Sequence, residues 1–266
     1  MEILKTVMLG IIQGLTEFLP VSSSGHLVLA QYFFGVKNEK SLVVEVLLHL
    51  ATGIAVLFVF RKDILDLIKG VFSSDQLKRR ESLTYSGWIV LGTIPAAFAG
   101  VFLKDMFEVF FNSPLLASSM LLVTALLLFF SGSRKDNPGK LTVWKVIAIG
   151  LIQATAITPG ISRSGSTIAM ALLVGVSREE AGKFSFLLSL PAIFGAALLE
   201  MRDISGISLS ATSLVSGFVA SLVVGILALK LLLAFVKKGK LHYFGYYCIA
   251  VALGSFAYFT FFQHAS

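Results

Sequence analysis

Pro159-Gly160-Ile161-Ser162-Arg163-Ser164-Gly165-Ser166-Thr167 holds one arginine, four hydroxyls and two glycines inside a long apolar region. An arginine at membrane depth marks a site by default, because burying its charge is unfavourable unless it has a job there. A loop rich in glycine, hydroxyls and backbone N–H groups, running into a helix, is a cradle for phosphate. Val21-Ser22-Ser23-Ser24-Gly25-His26, after Pro20, is a second version 140 residues earlier. One copy supplies an arginine and the other a histidine. The rest of the chain reads as the scaffold that brings the two loops together.

Composition sets the surroundings. The 266 residues are 56% hydrophobic and 14% charged, with mean hydropathy +0.87. A soluble domain carries about a quarter of its residues charged. Several apolar runs here approach the ~20 residues that cross a bilayer. The expected class is an all-α polytopic membrane protein forming a single membrane domain over 1–266. The first apolar stretch carries Gln13 and Glu17 and no small-residue cleavage site follows, so a cleaved signal peptide is not expected. The single cysteine, Cys248, excludes an internal disulfide and reads as packing. The net charge is +7, but its basic residues sit in short loops between apolar segments, so nucleic-acid binding is not expected.

In chain order, 3–19 is helical in pattern and breaks at Pro20, and 25–34 is a second short helix. Two short pieces joined by a Pro-Ser-Gly break predict a re-entrant hairpin, tolerated only inside protein or beside a wet cavity. Crossings are expected at 42–60, 85–102 (with a kink near Gly92 and Pro95) and 114–130. A surface helix is expected near 64–71, a polar link at 104–113 and a basic loop at 131–140. The pattern then restarts. Gly150-Leu-Ile-Gln153 echoes Gly10-Ile-Ile-Gln13. Ser162, Ser164 and Gly165 match Ser22, Ser24 and Gly25, and 185–190 aligns with 45–50 without a gap. Further crossings follow at 184–199, 213–235 and 244–262. The expectation is two inverted-topology repeats, about 1–131 and 141–264, each a re-entrant hairpin plus three crossing helices.

Charge counting tests this layout. If each hairpin returns to the side it left, one side receives Arg61, Lys62, Lys69, Lys78, Arg79, Arg80, Arg134, Lys135, Lys140, Lys145, Arg178, Lys183, Lys237, Lys238 and Lys240. The other receives only Lys5, Lys37, Lys40, Lys104 and Arg202. The positive-inside rule puts the first set in the cytoplasm and both termini outside. Inverted repeats with broken helices set their polar site near the midplane, where the breaks meet.

Gln13 and Glu17 are four apart and share a helix face, as do Glu45 and His49. Together with Ser22, Ser23, Ser24, Gly25 and His26, and with Ser162, Arg163, Ser164, Gly165, Ser166 and Thr167, they suit phosphoryl transfer. Arginine and backbone N–H groups hold phosphoryl oxygens. A serine or histidine can take the phosphoryl group, a histidine or carboxylate can move protons, and a carboxylate can hold a hard divalent cation. Plainer readings stand beside these. One of the three serines would cap the helix that opens near His26, and Arg163 could pair with Glu17 or Glu45.

Gln13-x-x-x-Glu17 with Pro20-Val-Ser-Ser-Ser-Gly-His26, and Pro159-Gly-Ile-Ser-Arg-Ser-Gly-Ser-Thr167, resemble the two signatures of the bacterial undecaprenyl-diphosphate phosphatase family of the bacitracin-resistance type. The resemblance covers essentially the whole chain. It implies a bacterial inner-membrane enzyme that hydrolyses the C55 isoprenyl diphosphate to the monophosphate, the carrier lipid recycled for peptidoglycan. It also implies dependence on Mg²⁺ or Ca²⁺ and a site opening to the outer, periplasmic face. By resemblance, Glu17 is an essential acid or metal ligand, and Ser23 or His26 is the nucleophile with the other as its partner. Arg163 is then the phosphate clamp, and Ser22, Ser24, Gly25, Ser162, Ser164, Gly165, Ser166 and Thr167 line the pocket. Some members have glutamate where this chain has Gln13, which here can only hydrogen-bond or act as a neutral ligand. Glu45 and His49 are either site lining or a buried polar pair. The partners implied are the polyprenyl diphosphate and the bilayer, and nothing in the sequence opposes a homodimer. Ser24-Gly25-His26 and Ser162-Arg163 also resemble fragments of phosphatidic-acid phosphatase motifs. Ala169 stands near where that superfamily has a further histidine, so the likeness is one of chemistry. The competing reading is a lipid-phosphate or anion transporter, which has the same architecture but needs no nucleophile.

Overall fold

In this computed structural model, residues 2–34, 41–132, 139–200 and 210–261 are described. They form twelve helices and no strand. These are α1 (Glu2–Phe18), α2 (Ser23–Phe34), α3 (Ser41–Val59), α4 (Arg61–Val71), α5 (Gln76–Phe102), α6 (Lys104–Phe111), α7 (Pro114–Gly132), α8 (Val143–Thr155), α9 (Arg163–Leu173), α10 (Arg178–Glu200), α11 (Ala211–Lys237) and α12 (His242–Phe261). Four of them, α5, α7, α10 and α11, are long and apolar enough to cross a membrane. The chain is therefore a multi-span membrane protein. Among the basic residues used in the charge count, Lys37, Lys40, Arg134, Lys135 and Arg202 lie outside the described residues.

Most expected elements are present as helices, though α5 begins at Gln76, nine residues before the expected 85, and α3 and α12, expected as crossings, are not among the four. The expected polar link at 104–113 is the short helix α6, whose Phe107 packs inward while Met106 and Val109 stay exposed. One-sided apolar content is enough to make an interfacial helix where propensity alone suggests a loop. α10 begins several residues earlier than expected and runs through Pro191, as α5 runs unbroken through Pro95.

α10 lies at the centre, packed against α3, α5, α9 and α11. Its Phe184, Phe186 and Leu188 are fully buried, and Phe186 meets Phe18 of α1 and Phe60, just past α3, in ring contacts at 5.8 and 6.1 Å. The other contacts interlock the two halves. α1 packs on α11 and α8 packs on α5, while α7 packs on α12. At both of the first two contacts the backbones touch through glycine. A Cβ on Gly10 would stand 2.3 Å from the Gly217 carbonyl oxygen, and one on Gly150 2.6 Å from that of Gly92. Water drives no helix pairing inside a bilayer, so close van der Waals approach through small residues does the work. Gly14→Leu puts a side chain where even a Cβ would lie 2.7 Å from the Ser221 oxygen. It is expected to lower stability by about 2 kcal/mol or more, read as a fall in the thermal unfolding midpoint in detergent. Gly254→Ala, with nothing within 4 Å, should leave that midpoint unchanged.

Two ion pairs tie segments of the basic side together. Lys183 of α10 meets Asp63 of α4 at 2.6 Å, and Lys237 of α11 meets Glu179 at 3.1 Å. Each joins residues that charge counting assigns to the same face.

Candidate active site

The two loops meet tip to tip. Ser22 Oγ accepts from Gly25 N at 3.2 Å and caps α2, while Ser162 Oγ accepts from Gly165 N at 3.1 Å and caps α9. Each cap serine also lies 3.3 Å from the hydroxyl two residues on, Ser24 or Ser164. The tips press on each other in matching pairs. A Cβ on Gly25 would lie 2.8 Å from Gly160 Cα, and one on Gly165 2.9 Å from Pro20 Cβ. Under the 140-residue offset these are the same contact. Gly160 N donates to Ser22 Oγ at 3.1 Å, which stitches the tips together. Ser22 itself sits at φ 67, a left-handed conformation uncommon for serine.

Each tip is also anchored from behind. Thr124 of α7 donates to the Gly160 carbonyl at 2.8 Å and accepts from Ser162 N at 3.0 Å. Cys248 of α12 donates to the Pro20 carbonyl at 3.6 Å. The cysteine expected as plain packing thus holds the first tip as Thr124 holds the second.

Glu17 is the hub. Its Oε2 accepts from Ser23 Oγ at 2.9 Å and from Gln13 Nε2 at 3.1 Å. Its Oε1 takes the Arg163 Nη2 in an ion pair across the two tips. His49 Nε2 of α3 stands 3.7 Å from Oε2. The carboxylate side chain is 7% exposed, so this set is sheltered from bulk water. Arg163 Nη1 is buried with no hydrogen-bond partner among the described residues, so one arm of the guanidinium is committed to Glu17 and the other is open to an incoming oxyanion. The N–H groups of Ser23, Ser24, Arg163 and Ser164 also have no acceptor among the described residues, as the first turn of a helix requires. Two positive helix ends therefore converge beside one arginine, an arrangement suited to a phosphate.

Gln13, Glu17, Ser23, His49 and Arg163 form one cluster. His26 faces elsewhere. Its Nδ1 lies 2.8 Å from the Ser22 carbonyl and its Nε2 2.8 Å from the Tyr247 hydroxyl. Both ring nitrogens are taken, so the hydroxyl of Ser23 has Glu17 and not His26 as its proton acceptor. Ser166 donates to the Ser162 carbonyl and Thr167 to the Arg163 carbonyl at 2.8 Å, and both residues are fully buried. Their hydroxyls thus serve the first turn of α9. Ser164 Oγ is 3.4 Å from the Leu19 carbonyl. Glu45 lies on α3, and its side chain is outside the described set. Thr124 and Tyr247 were missed in the sequence because each lies on a distant helix with no motif around it.

A divalent cation can be accommodated by the donor set. Among the described residues no three His, Cys, Asp or Glu side chains cluster. Glu17, the Ser23 hydroxyl and the Gln13 amide oxygen are hard oxygen donors. Mg²⁺ commonly uses one or two carboxylates and takes its other ligands from phosphate oxygens and water.

Comparison with known proteins bears on what this cluster is for. Residues 6–254 match the family model described as Bacitracin resistance protein BacA. The chain belongs to the BacA family. A relative named undecaprenyl-diphosphatase from Desulfatibacillum aliphaticivorans is 44% identical over 270 residues, covering 93% of this chain and 95% of the relative. Relatives of the same name from Alkaliphilus metalliredigens and Methanosphaera stadtmanae are 42% and 39% identical, covering 93% and 95% of this chain and 95% and 96% of theirs. The BacA match spans both loops and nearly every helix that positions them.

Proposed function

We propose that this chain hydrolyses undecaprenyl diphosphate, releasing phosphate and leaving the monophosphate for reuse as the carrier lipid of peptidoglycan synthesis, and so confers bacitracin resistance. One observation carries the reading within a family whose relatives bear that enzyme's name. A serine hydroxyl, Ser23, donates to a sheltered carboxylate, Glu17, which is paired across the tips with an arginine that has a spare donor.

The mechanism follows from these positions. The diphosphate head enters with its tail in the bilayer, and Arg163 with the N–H groups of the two tips holds its oxygens. Ser23 Oγ attacks the terminal phosphorus as its proton passes to Glu17. The bond from that phosphorus to the bridging oxygen breaks, and the lipid monophosphate leaves. Water then attacks the phosphoserine, the bond from phosphorus to Ser23 Oγ breaks, the serine takes back the proton held by Glu17, and the water's protons leave with the free phosphate. A bound Mg²⁺ or Ca²⁺, held by Glu17 with Ser23 and Gln13 oxygens, would neutralise phosphate charge. Trapping a phosphorylated residue other than Ser23 would overturn the assignment.

The interlocked packing supports the inverted-repeat layout, with two re-entrant hairpins and repeats near 1–131 and 141–264. The exchange of α1 on α11 for α8 on α5, and of Gly25 on Gly160 for Gly165 on Pro20, is what a two-fold in the membrane plane produces. With the charge bias, this favours the bacterial inner membrane, both termini outside and a site opening to the periplasm. A homodimer is compatible with this layout. An anion carrier has no use for a serine seated on a carboxylate, so the transporter reading is not favoured.

The test is phosphate release from C55 isoprenyl diphosphate by purified protein in detergent. Excess chelator is expected to lower the rate at least a hundredfold, and Mg²⁺ or Ca²⁺ to restore it. An unchanged rate in chelator would remove the metal from the reading. No release by well-folded protein, with tight lipid-phosphate binding that needs Arg163, would favour the carrier.

A further inference from the structure

The corner between α4 and α5 takes no part in the site described above. Leu65, Ile68 and Phe72, spaced three and four apart on α4 and its C-cap, fall on one face. That face points away from the protein, with Leu65 and Ile68 half exposed and Phe72 84% exposed. The opposite side of the helix packs on α5 through Gly70, where a Cβ would lie 2.9 Å from Ser82 Cβ. Asp63 ties α4 to α10 through Lys183. The corner is therefore held with its apolar stripe outward.

Its depth follows from α5. That helix has 27 residues, about 40 Å of length, while the hydrocarbon core of a bilayer is about 30 Å thick. The polar start of α5, Gln76-Leu-Lys-Arg-Arg-Glu81, is the part that stands outside the hydrocarbon. Ser82 then sits at the boundary, and α4, docked on Ser82, lies at the level of the headgroups. Charge matches this level. Residues 61–81 carry six basic side chains, Arg61, Lys62, Lys69, Lys78, Arg79 and Arg80, against four acidic ones. Two of the acids are engaged within the protein, Asp63 with Lys183 and Asp75 as the cap of α5, accepting from Leu77 N at 2.9 Å. Lys62 and Lys69, seven apart, share one flank of the apolar stripe, and both are exposed.

We propose that the α4–α5 corner is a binding surface for anionic phospholipid, with the stripe set into the boundary between headgroups and acyl chains and the basic side chains beside lipid phosphates. An amphipathic helix with basic residues along its polar edge lies in that plane. Each Lys or Arg near an anionic surface strengthens binding about fivefold. The inference stands apart from the chemistry of the site and holds in whichever leaflet the corner lies. A soluble protein partner would need the stripe above the headgroups, and the Ser82 contact holds it lower.

The test uses full-length protein in detergent, given equal amounts of phosphatidylglycerol and phosphatidylcholine with the same acyl chains. Native mass spectrometry counts the lipids retained. Wild type is expected to prefer phosphatidylglycerol by about tenfold or more, and Lys62→Gln/Lys69→Gln/Arg79→Gln to fall within about twofold of no preference. Lys237→Gln/Lys238→Gln/Lys240→Gln removes the same charge from another exposed basic end and should keep the wild-type preference. No preference in wild type would overturn the proposal. So would an equal loss in the two triple variants, which would make the effect one of net charge. Depth is read from Phe72→Cys carrying a polarity-sensitive fluorophore in phosphatidylglycerol-containing nanodiscs, Cys248 being buried. Apolar-type emission is expected, quenched by lipids brominated near the carbonyl end of the chain. Water-like emission without quenching would leave the stripe open to a soluble partner and overturn the lipid assignment.

Discussion

Arg163→Ala is expected to lower kcat/KM for phosphate release by roughly a thousandfold or more, in line with arginines that stabilise a transferring phosphoryl group. The side chain has two duties here. One terminal nitrogen is paired with Glu17, and the other is buried without a partner among the described residues. Truncation removes the clamp and also strands the Glu17 carboxylate in a site sheltered from water. Stranding one member of a buried pair costs about 3–5 kcal/mol, so the single variant should also melt earlier. The two effects separate in a cycle. Glu17→Gln alone should lose activity to a similar degree, because Ser23 loses its proton acceptor. In Glu17→Gln/Arg163→Met no charge is left unpaired, so its unfolding midpoint should recover toward wild type while activity stays absent. If activity returned with stability in the double variant, the pair would be structural and the clamp assignment would fall.

Gly160→Val is expected to lose about 4 kcal/mol of stability or more, the sum of left-handed strain and overpacking, and activity with it. Gly160 sits at φ 97, where a β-branched residue is strained in any surroundings. A Cβ there would also lie 2.1 Å from the Ala117 oxygen and 2.7 Å from Met120 Cβ. The same residue gives its N–H to Ser22 and its carbonyl to Thr124, so displacing it releases both tips. Thermal unfolding in detergent and phosphate release measure the two losses. Gly87→Ala, on a helix with nothing within 4 Å, is the control and should be neutral. A Gly160→Val protein that melts and turns over like wild type would show that the tips need no close docking.

The all-helical, membrane-spanning class and the meeting of the two loops rest on local patterns that the sequence displays. Apolar runs of helical length, Pro-Ser-Gly breaks and the ungapped 140-residue echo are carried by neighbouring residues, and membrane burial turns each directly into structure. The caps were legible for the same reason, since Ser22 and Ser162 bond N–H groups three residues on. The convergence of Glu17 and Arg163 was legible only as one option. The sequence offered Arg163 either as a phosphate clamp or as a partner for Glu17, and the structure pairs one terminal nitrogen with Glu17 and leaves the other without a partner among the described residues.

The hydrogen-bond partners of Ser23 and His26 were decided by tertiary structure. In sequence, Ser23 and His26 lie three residues apart and look like a nucleophile with its base. Their helix start instead turns the serine toward Glu17 of α1 and the imidazole toward Tyr247 of α12. The direction of a side chain at a helix start depends on which neighbours offer acceptors and donors. Here those neighbours are a carboxylate on the preceding helix and a phenol 221 residues away. Thr124 and Cys248 make the same point, as each backs a loop tip from a distant helix with no motif around it. By itself the sequence determined that the chain crosses the membrane in helices and breaks at two loops rich in glycine and hydroxyls. Which partner each of these side chains meets was decided only by the packed helices, because hydrogen bonds depend on distance and direction between groups that the chain order does not fix.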